Sequence, residues 1–322
     1  MPKSDRLHVS HIRTAVDLVT PYENTRAGFV RMALERNRRA SPYVVEARDL
    51  NAQALKAKTP AELFKIAGIR AALLTAAGIS DKAAGHIDEQ GYDDAIAGLI
   101  QNYLEPAGQN FREELVYRFL LTRGDTLGGS MRNVVGALAQ RRFTSMLLAR
   151  LRNSGSAYAY RMAGSKTRKW QHDQALDAVA PENIKAVAWT NQNGSRVMSY
   201  NLTIPCVGKN VDMNLLDCKP DDFSGAILTE PSRFLALGEL KGGVDPAGAD
   251  EHWKTANSAL ERIRNAFASQ RTKPALFFVG AAIEQAMASE IWAQIGNGNL
   301  SNAANLSVDE HLSAICDWLV TI

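Results

Sequence analysis

The chain has 322 residues, 46% of them hydrophobic, which is enough for one large domain or two ordinary ones with a proper core and excludes a wholly disordered chain. No apolar run approaches the roughly 20 residues needed to span a bilayer, and the amino terminus MPKSDRLHVS lacks the apolar core of a signal peptide, so the expectation is a cytoplasmic protein with no membrane association. A formal charge of +3 is too mild to demand a nucleic-acid partner, and Cys206, Cys218 and Cys316, odd in number and without a CxxC pair, argue against a disulfide framework and a structural zinc site.

From about residue 27 to 152 apolar residues recur at helical spacing: Phe111, Leu115 and Phe119 share one face, as do Met131, Val134, Val135 and Leu138. Pro42, Pro60, Gly78, Gly91 and Gly108 punctuate this half into helices of ordinary length, and Thr59 before PAELFKIAG reads as a helix start with Gly68 as its stop. Two basic stretches follow. RRFTSMLLARLR (141–152) carries four arginines, and RMAGSKTRKWQH (161–172) sets Arg161, Lys166, Arg168 and Lys169 beside Trp170. Either they form a solvated helix face and a basic loop, or they contact phosphate.

After about residue 185 the period changes. VMSYNLTIPCV and NVDMNLLDCK, separated by GKN, predict a hairpin; RFLALGELK is a third strand and ALFFVGAAI (275–283) a fourth with the continuous apolar run of a buried strand. Between those two, Trp253, Ala256, Leu260, Ile263 and Phe267 repeat every three or four residues, so strand, helix, strand forms a parallel crossover. GNGNLSNAANLS (296–307) reads as a polar loop. The expected class is α/β (α+β): a mixed sheet flanked by helices behind a largely helical N-terminal region.

The third strand carries the chemistry. Glu239 and Lys241 alternate with Leu240, so both point to one face while Leu240 points into the core, and Asp212 lies on the preceding strand. An acid followed by E-x-K on a neighbouring strand is the arrangement of metal-dependent phosphodiesterases of the PD-(D/E)xK type. Hard oxygen ligands hold a magnesium ion that also meets the scissile phosphate and lowers the pKa of a bound water, while the lysine orients that water or neutralises charge on the transition state. Asp212 follows Val211 rather than a proline, so the loose superfamily pattern is only partly met. Gly242 and Gly243 stand where a substrate backbone would approach closely. Glu113, on the helix NFREELVYRFLL, is either a supporting acid at the same site or an exposed helical glutamate.

ELKGGVDPAGADEHWK (239–254), together with RGDTLGGSMRN (123–133), resembles the AvaI/BsoBI family of type II restriction endonucleases, the likeness running from about residue 111 to 270. That resemblance implies cleavage of double-stranded DNA at the degenerate site CYCGRG, with Mg2+, by a homodimer that encloses the duplex. Residues 1–110 would form the helical DNA-embracing region and residues 111–322 the PD-(D/E)xK catalytic domain. Carried onto matching positions, Asp212 and Glu239 would ligate metal, Lys241 would assist the water, and His252 would be a histidine near the scissile phosphate acting as general base, a task suited to an imidazole. Taken by itself His252 reads as a helix-start residue bonded to Asp250 or Glu251. Asp245 would read bases, as a carboxylate can accept from a cytosine amino group, or else simply shapes the turn before Pro246. Lys82, in SDKAAGH, is the candidate for a lysine sent toward guanine. Arg123, Arg132 and Asn133 would touch backbone or bases, with Gly128 and Gly129 making a tight turn before a helix.

Two other readings of the same residues stand: a PD-(D/E)xK nuclease of repair or recombination, and a DNA-binding module on this fold that does not cut. Zinc protease, serine hydrolase, NTPase and dinucleotide enzymes lack their parts, since there is no HExxH, GxSxG, P-loop or GxGxxG after a strand.

Overall fold

A computed structural model describes residues 9–164, 169–172 and 180–322. The chain divides into two compact units, one made of Met1–Phe29 and Val134–Ile322, the other of Val30–Asn133.

The second unit is helical. It holds most of α1 (Tyr22–Ala54), then α2 (Arg70–Ala76), α3 (Asp81–Ala84), α4 (Glu89–Leu99) and the first half of α5 (Phe111–Asn153). Leu50, Leu63, Leu73, Leu99, Phe111, Leu115 and Phe119 form its core, so the expected face of α5 is the buried one. The punctuation behaves differently from expectation. Pro42 lies inside α1. Its position is exposed, as is Arg38 four residues earlier, so the carbonyl deprived of a partner can be solvated. Gly91 sits in the first turn of α4, where its amide donates to Asp88 Oδ1 at 2.9 Å. Thr59 is an extended cap as predicted, yet PAELFK forms a short 3-10 turn rather than an α-helix. Gly128 and Gly129 make no turn: α5 runs unbroken for 43 residues. Leu127 and Met131, four apart and both buried, carry the apolar face across the glycines.

The first unit is built on a sheet whose described strands are β1 (Tyr158–Met162), β2 (Gln171–His172), β3 (Ile184–Asn191), β4 (Gly194–Ile204), β5 (Lys209–Asp217), β6 (Phe234–Lys241), β7 (Ala275–Gly280) and β8 (Asn302–Asn305), in the order β2-β1-β3-β4-β5-β6-β7-β8. Pairing is antiparallel through β6, then parallel from β6 to β7 and from β7 to β8. The fold is therefore the expected mixed α/β class, with the predicted hairpin (β4, β5) and crossover (β6, α6, β7), where α6 is Ala249–Ser269.

Both faces of the sheet are covered. On one, Trp253, Leu260, Ile263 and Phe267 of α6 and Met287, Ile291 of α7 (Gln285–Gly296) pack on Phe234, Leu237 and Phe278. On the other, Phe143, Leu147 and Leu151 of α5 and Leu312, Ile315 and Leu319 of α8 (Asp309–Thr321) pack on Tyr200, Leu215 and Phe277. Leu240 joins this second core, which leaves Glu239 and Lys241 facing the α6 side.

Residues 296–307 are not only a polar loop: β8 lies within them. Both of its asparagines are buried; Asn302 Oδ1 accepts from the adjacent Ala303 amide, whereas Asn305 finds partners far away in sequence. Asn305 Nδ2 donates to the Leu18 carbonyl at 3.0 Å and to Thr20 Oγ1 at 2.8 Å, and Asn305 Oδ1 accepts from Ser307. Beside them, His11 Nε2 donates to the Ala303 carbonyl at 2.9 Å, and the His11 and His311 rings meet edge to face at 5.1 Å.

His311 Nδ1 accepts from the Asn305 amide, so the ring is neutral in the folded protein. Burial, with His11 adding to it and Asp17 and Glu310 opposing, lowers its pKa from 6.5 to about 4. A depressed histidine contributes stability that is present above 6.5 and is lost as pH falls through about 4. Urea denaturation at pH 7, 5 and 4 should show that loss, and His311→Gln should lack this component of it.

Candidate active site

The site lies where β5 and β6 run antiparallel. Met213 pairs with Gly238, so one step further along the same register Asp212 comes opposite Glu239. Asp212 Oδ2 accepts from the Leu240 amide at 3.0 Å, a bond that fixes the carboxylate to β6. Lys241 Nζ donates to Glu239 Oε2 at 2.7 Å and to Asp212 Oδ2 at 3.3 Å. The structure thus brings the three predicted residues together.

They are not equally exposed. The Glu239 side chain is 5% accessible, against 27% for Asp212 and 23% for Lys241, which puts Glu239 at the bottom of the site with the other two open to solvent. Burial first, then the Asp212 carboxylate, pushes the Glu239 pKa up from 4.5 to about 7, with Lys241 acting in the opposite direction. Burial works against the Lys241 ammonium, but Glu239 and Asp212 outweigh it and raise its pKa. Asn214, which the sequence reading did not single out, steadies the strand: its Nδ2 donates to the carbonyls of Val211 and Ser199. A single asparagine within a strand carries no sequence signal for that role.

The donors suit a hard divalent ion. Two carboxylates converge, and among the described residues no protein donor bonds to Asp212 Oδ1 or Glu239 Oε1. No group of three or more His, Cys, Asp or Glu side chains is placed to hold a metal among the described residues. Two carboxylates nevertheless fit magnesium, which keeps several waters and is usually held by one or two of them plus substrate phosphate.

His252 sits in the first turn of α6. Asp250 pairs instead with Lys254 at 2.6 Å, and among the described residues the His252 ring makes no protein hydrogen bond, so the helix-start bond to Asp250 or Glu251 is not formed. Its ring packs against Gly243, just past Lys241. The two glycines therefore give room to the protein itself rather than standing open: a side chain at Gly242 would meet Val135 and Ala139 of α5, and one at Gly243 would meet His252.

The remaining candidates are dispersed. Asp245 is exposed, and its Oδ1 accepts from the Ala247 amide at 3.0 Å, so the turn-shaping role is formed. Lys169 is exposed, whereas Lys166 and Arg168 lie outside the described residues. Trp170 holds Arg161 over its ring at 4.7 Å. In the helical unit, Lys82, Glu113, Arg132 and Asn133 are exposed, and Arg123 is engaged by Asp81 at 2.9 Å and Glu46 at 3.3 Å. The four arginines of 141–152 also have partners within their own unit: Arg141 with Glu182, Arg142 with Asp309, Arg150 with Asp317 and Arg152 with the Tyr158 hydroxyl. For these four the phosphate-contact reading gains no support.

A family model described as restriction endonuclease BsobI matches residues 8–322. The chain belongs to that family. It is 51% identical over 312 residues to the type II restriction enzyme AvaI of a Nostoc species and, equally, to that of Anabaena variabilis, matches that cover 97% of this chain and 98% of each relative. It is 44% identical over 315 residues to the type II restriction enzyme BsoBI of Geobacillus stearothermophilus, again covering 97% of the chain and 98% of the relative. Type II restriction enzymes are site-specific deoxyribonucleases, and this chain is an enzyme of that class, acting on double-stranded DNA with the help of a divalent metal ion. Among the described residues no helix is long and apolar enough to cross a membrane.

Glu239 must be an anion to serve as a ligand, yet its carboxyl holds a proton up to about pH 7. Magnesium added to the protein at pH 7 should therefore release protons, measurable by calorimetry in buffers of different ionisation enthalpy, and the release should fade at pH 8.5. Asp212→Asn removes a raising charge and should lower the Glu239 pKa, read from its carboxyl NMR resonance.

Proposed function

We propose that this enzyme cleaves duplex DNA at CYCGRG, with magnesium as the ion, as a homodimer in the cytoplasm. A palindromic target presents the same phosphodiester twice, related by a two-fold axis, which two identical subunits match. The region 1–110 embraces the duplex and 111–322 cuts it. The observation that carries the reading is the buried Glu239 held 2.7 Å from Lys241 with Asp212 across the strand pair. A module that only bound DNA would gain nothing from placing an acid of such raised pKa beneath an ammonium.

In this reading Asp212 and Glu239 would hold the magnesium ion, which would supply Lewis acidity and a more acidic water when bound. Lys241 carries a fixed positive charge at the mouth of the site, where it stabilises negative charge developing on the phosphate oxygens. His252 accepts the proton of the attacking water as the water oxygen bonds to phosphorus, and the ester oxygen departs with the P–O electron pair and takes up a proton from solvent water. Asp245, Lys82, Arg123, Arg132, Asn133, Lys166, Arg168 and Lys169 serve duplex contact and base reading, and Glu113 supports the site. For Asp245 the turn it caps and a cytosine contact are compatible, because only Oδ1 is used by the Ala247 amide. Arg123 contributes through its ion pairs, which tie α3 with its Lys82 to α5.

A digest of a long sequenced duplex, with magnesium and with chelator, tests the reading. Discrete magnesium-dependent ends sharing CYCGRG are expected, whereas random or end-directed degradation would indicate a repair nuclease and binding without cuts a non-cleaving module. Lys241→Ala should reduce cleavage by at least about 10²-fold, comparable to loss of one electrostatic donor, while duplex binding in chelator persists. Asp245→Ala should still cut, with a smaller difference in rate between the target and sites altered at one base pair.

A further inference from the structure

We infer that Gly243 is a positioning residue for His252: its missing side chain forms the seat that holds the imidazole beside the end of the catalytic strand. The inference rests on the catalytic reading of His252 given above. A Cβ on Gly243 would stand 2.7 Å from His252 Nδ1 and closer still to Cε1, distances that side chains do not adopt. The same end of the ring also approaches Gly248, where a Cβ would stand 3.7 Å from Cε1, an ordinary contact. The imidazole therefore directs its Cε1 edge at two glycines in the segment from Lys241 to α6, and Gly243 is much the closer. Among the described residues it makes no protein hydrogen bond, so packing alone sets its place.

The neighbouring Gly242 shows by contrast what kind of role this is. A Cβ there would stand 2.7 Å from both the Val135 carbonyl oxygen and the Ala139 Cβ. Neither a helix carbonyl nor an alanine methyl can swing aside, so a larger residue at 242 has to displace α5 or the strand end, an overpacking that lowers stability. At 243 the obstacle is the end of a half-buried side chain, which can rotate away. The two adjacent glycines thus separate in their effects: Gly242→Ala acts on stability, and Gly243→Ala acts on where the imidazole lies.

Four proteins decide the matter: the wild type, His252→Ala, Gly243→Ala and the double variant. The His252 Cε1–H resonance is identified by its loss in His252→Ala, and it should shift in Gly243→Ala while Tm stays near that of the wild type. Single-turnover cleavage of a site-containing duplex should fall by about 10²-fold in Gly243→Ala, the scale of a misplacement of about 1 Å. The double variant should be no slower than His252→Ala alone, because a seat has no effect once the ring is gone. An unmoved resonance, losses that multiply in the double variant, or a Gly243→Ala protein that does not fold would each overturn the inference. If His252→Ala cuts as fast as the wild type, the catalytic reading of His252 falls, and the resonance and Tm still judge the seat.

Discussion

One ammonium group between two carboxylates sets the terms for the unit built on the sheet. Lys241 Nζ reaches both Glu239 and Asp212 from a strand end that is mostly withdrawn from water. Removing charges from water costs several kcal/mol per ion, and attraction offsets that only when partners are near and well placed. Here the balance is incomplete: Glu239 keeps a pKa near 7, so without a further cation the cluster does not hold two full carboxylate charges comfortably. In the proposed function, a divalent ion bound beside the two carboxylates would supply the positive charge that the cluster lacks.

Such a cluster needs a rigid frame. Glu239 and Lys241 lie on β6, an interior strand paired on both sides, whose alternate residues are anchored in the core by Leu240 toward α5 and α8 and by Leu237 toward α6 and α7. Asp212 is tied to that strand through a backbone amide rather than through another side chain, so its position follows the strand register. The chain then leaves β6 through two glycines, the first pressed by α5 and the second by His252. Strand, helix and imidazole meet within a few residues because no side chain stands between them.

Much of this arrangement was readable from the sequence, for local reasons. Alternation put Glu239 and Lys241 on one face, and helical spacing put Trp253, Leu260 and Phe267 on the sheet, where they are buried. What escaped was decided by distant partners. β1, β2 and β3 carried no strand signal that was read, and β8 was hidden in a polar run because Asn305 is satisfied only by the folded chain, through Leu18 and Thr20. Pro42, Gly128 and Gly129 looked like breaks, but solvent at α1 and the buried pair Leu127 and Met131 in α5 override local preference. At the site, the three charged residues followed from spacing. That Gly243 faces an imidazole did not, since a glycine pair looks the same whether it faces a substrate or the protein's own helix.

The buried asparagines of β8 also bear on how the sheet ends. A terminal strand exposes unpaired amides and carbonyls that invite another chain to add on. Here residues 9–20 lie against that strand: His11 takes the Ala303 carbonyl, and Asn305 reaches back to Leu18 and Thr20 across 287 and 285 positions of sequence. Contacts of such separation are among the last that a folding chain can make, because the whole intervening loop has to be closed first. During synthesis the early segment therefore waits for its partner strand, and residues 9–20 stay open to wrong pairings until β8 has emerged.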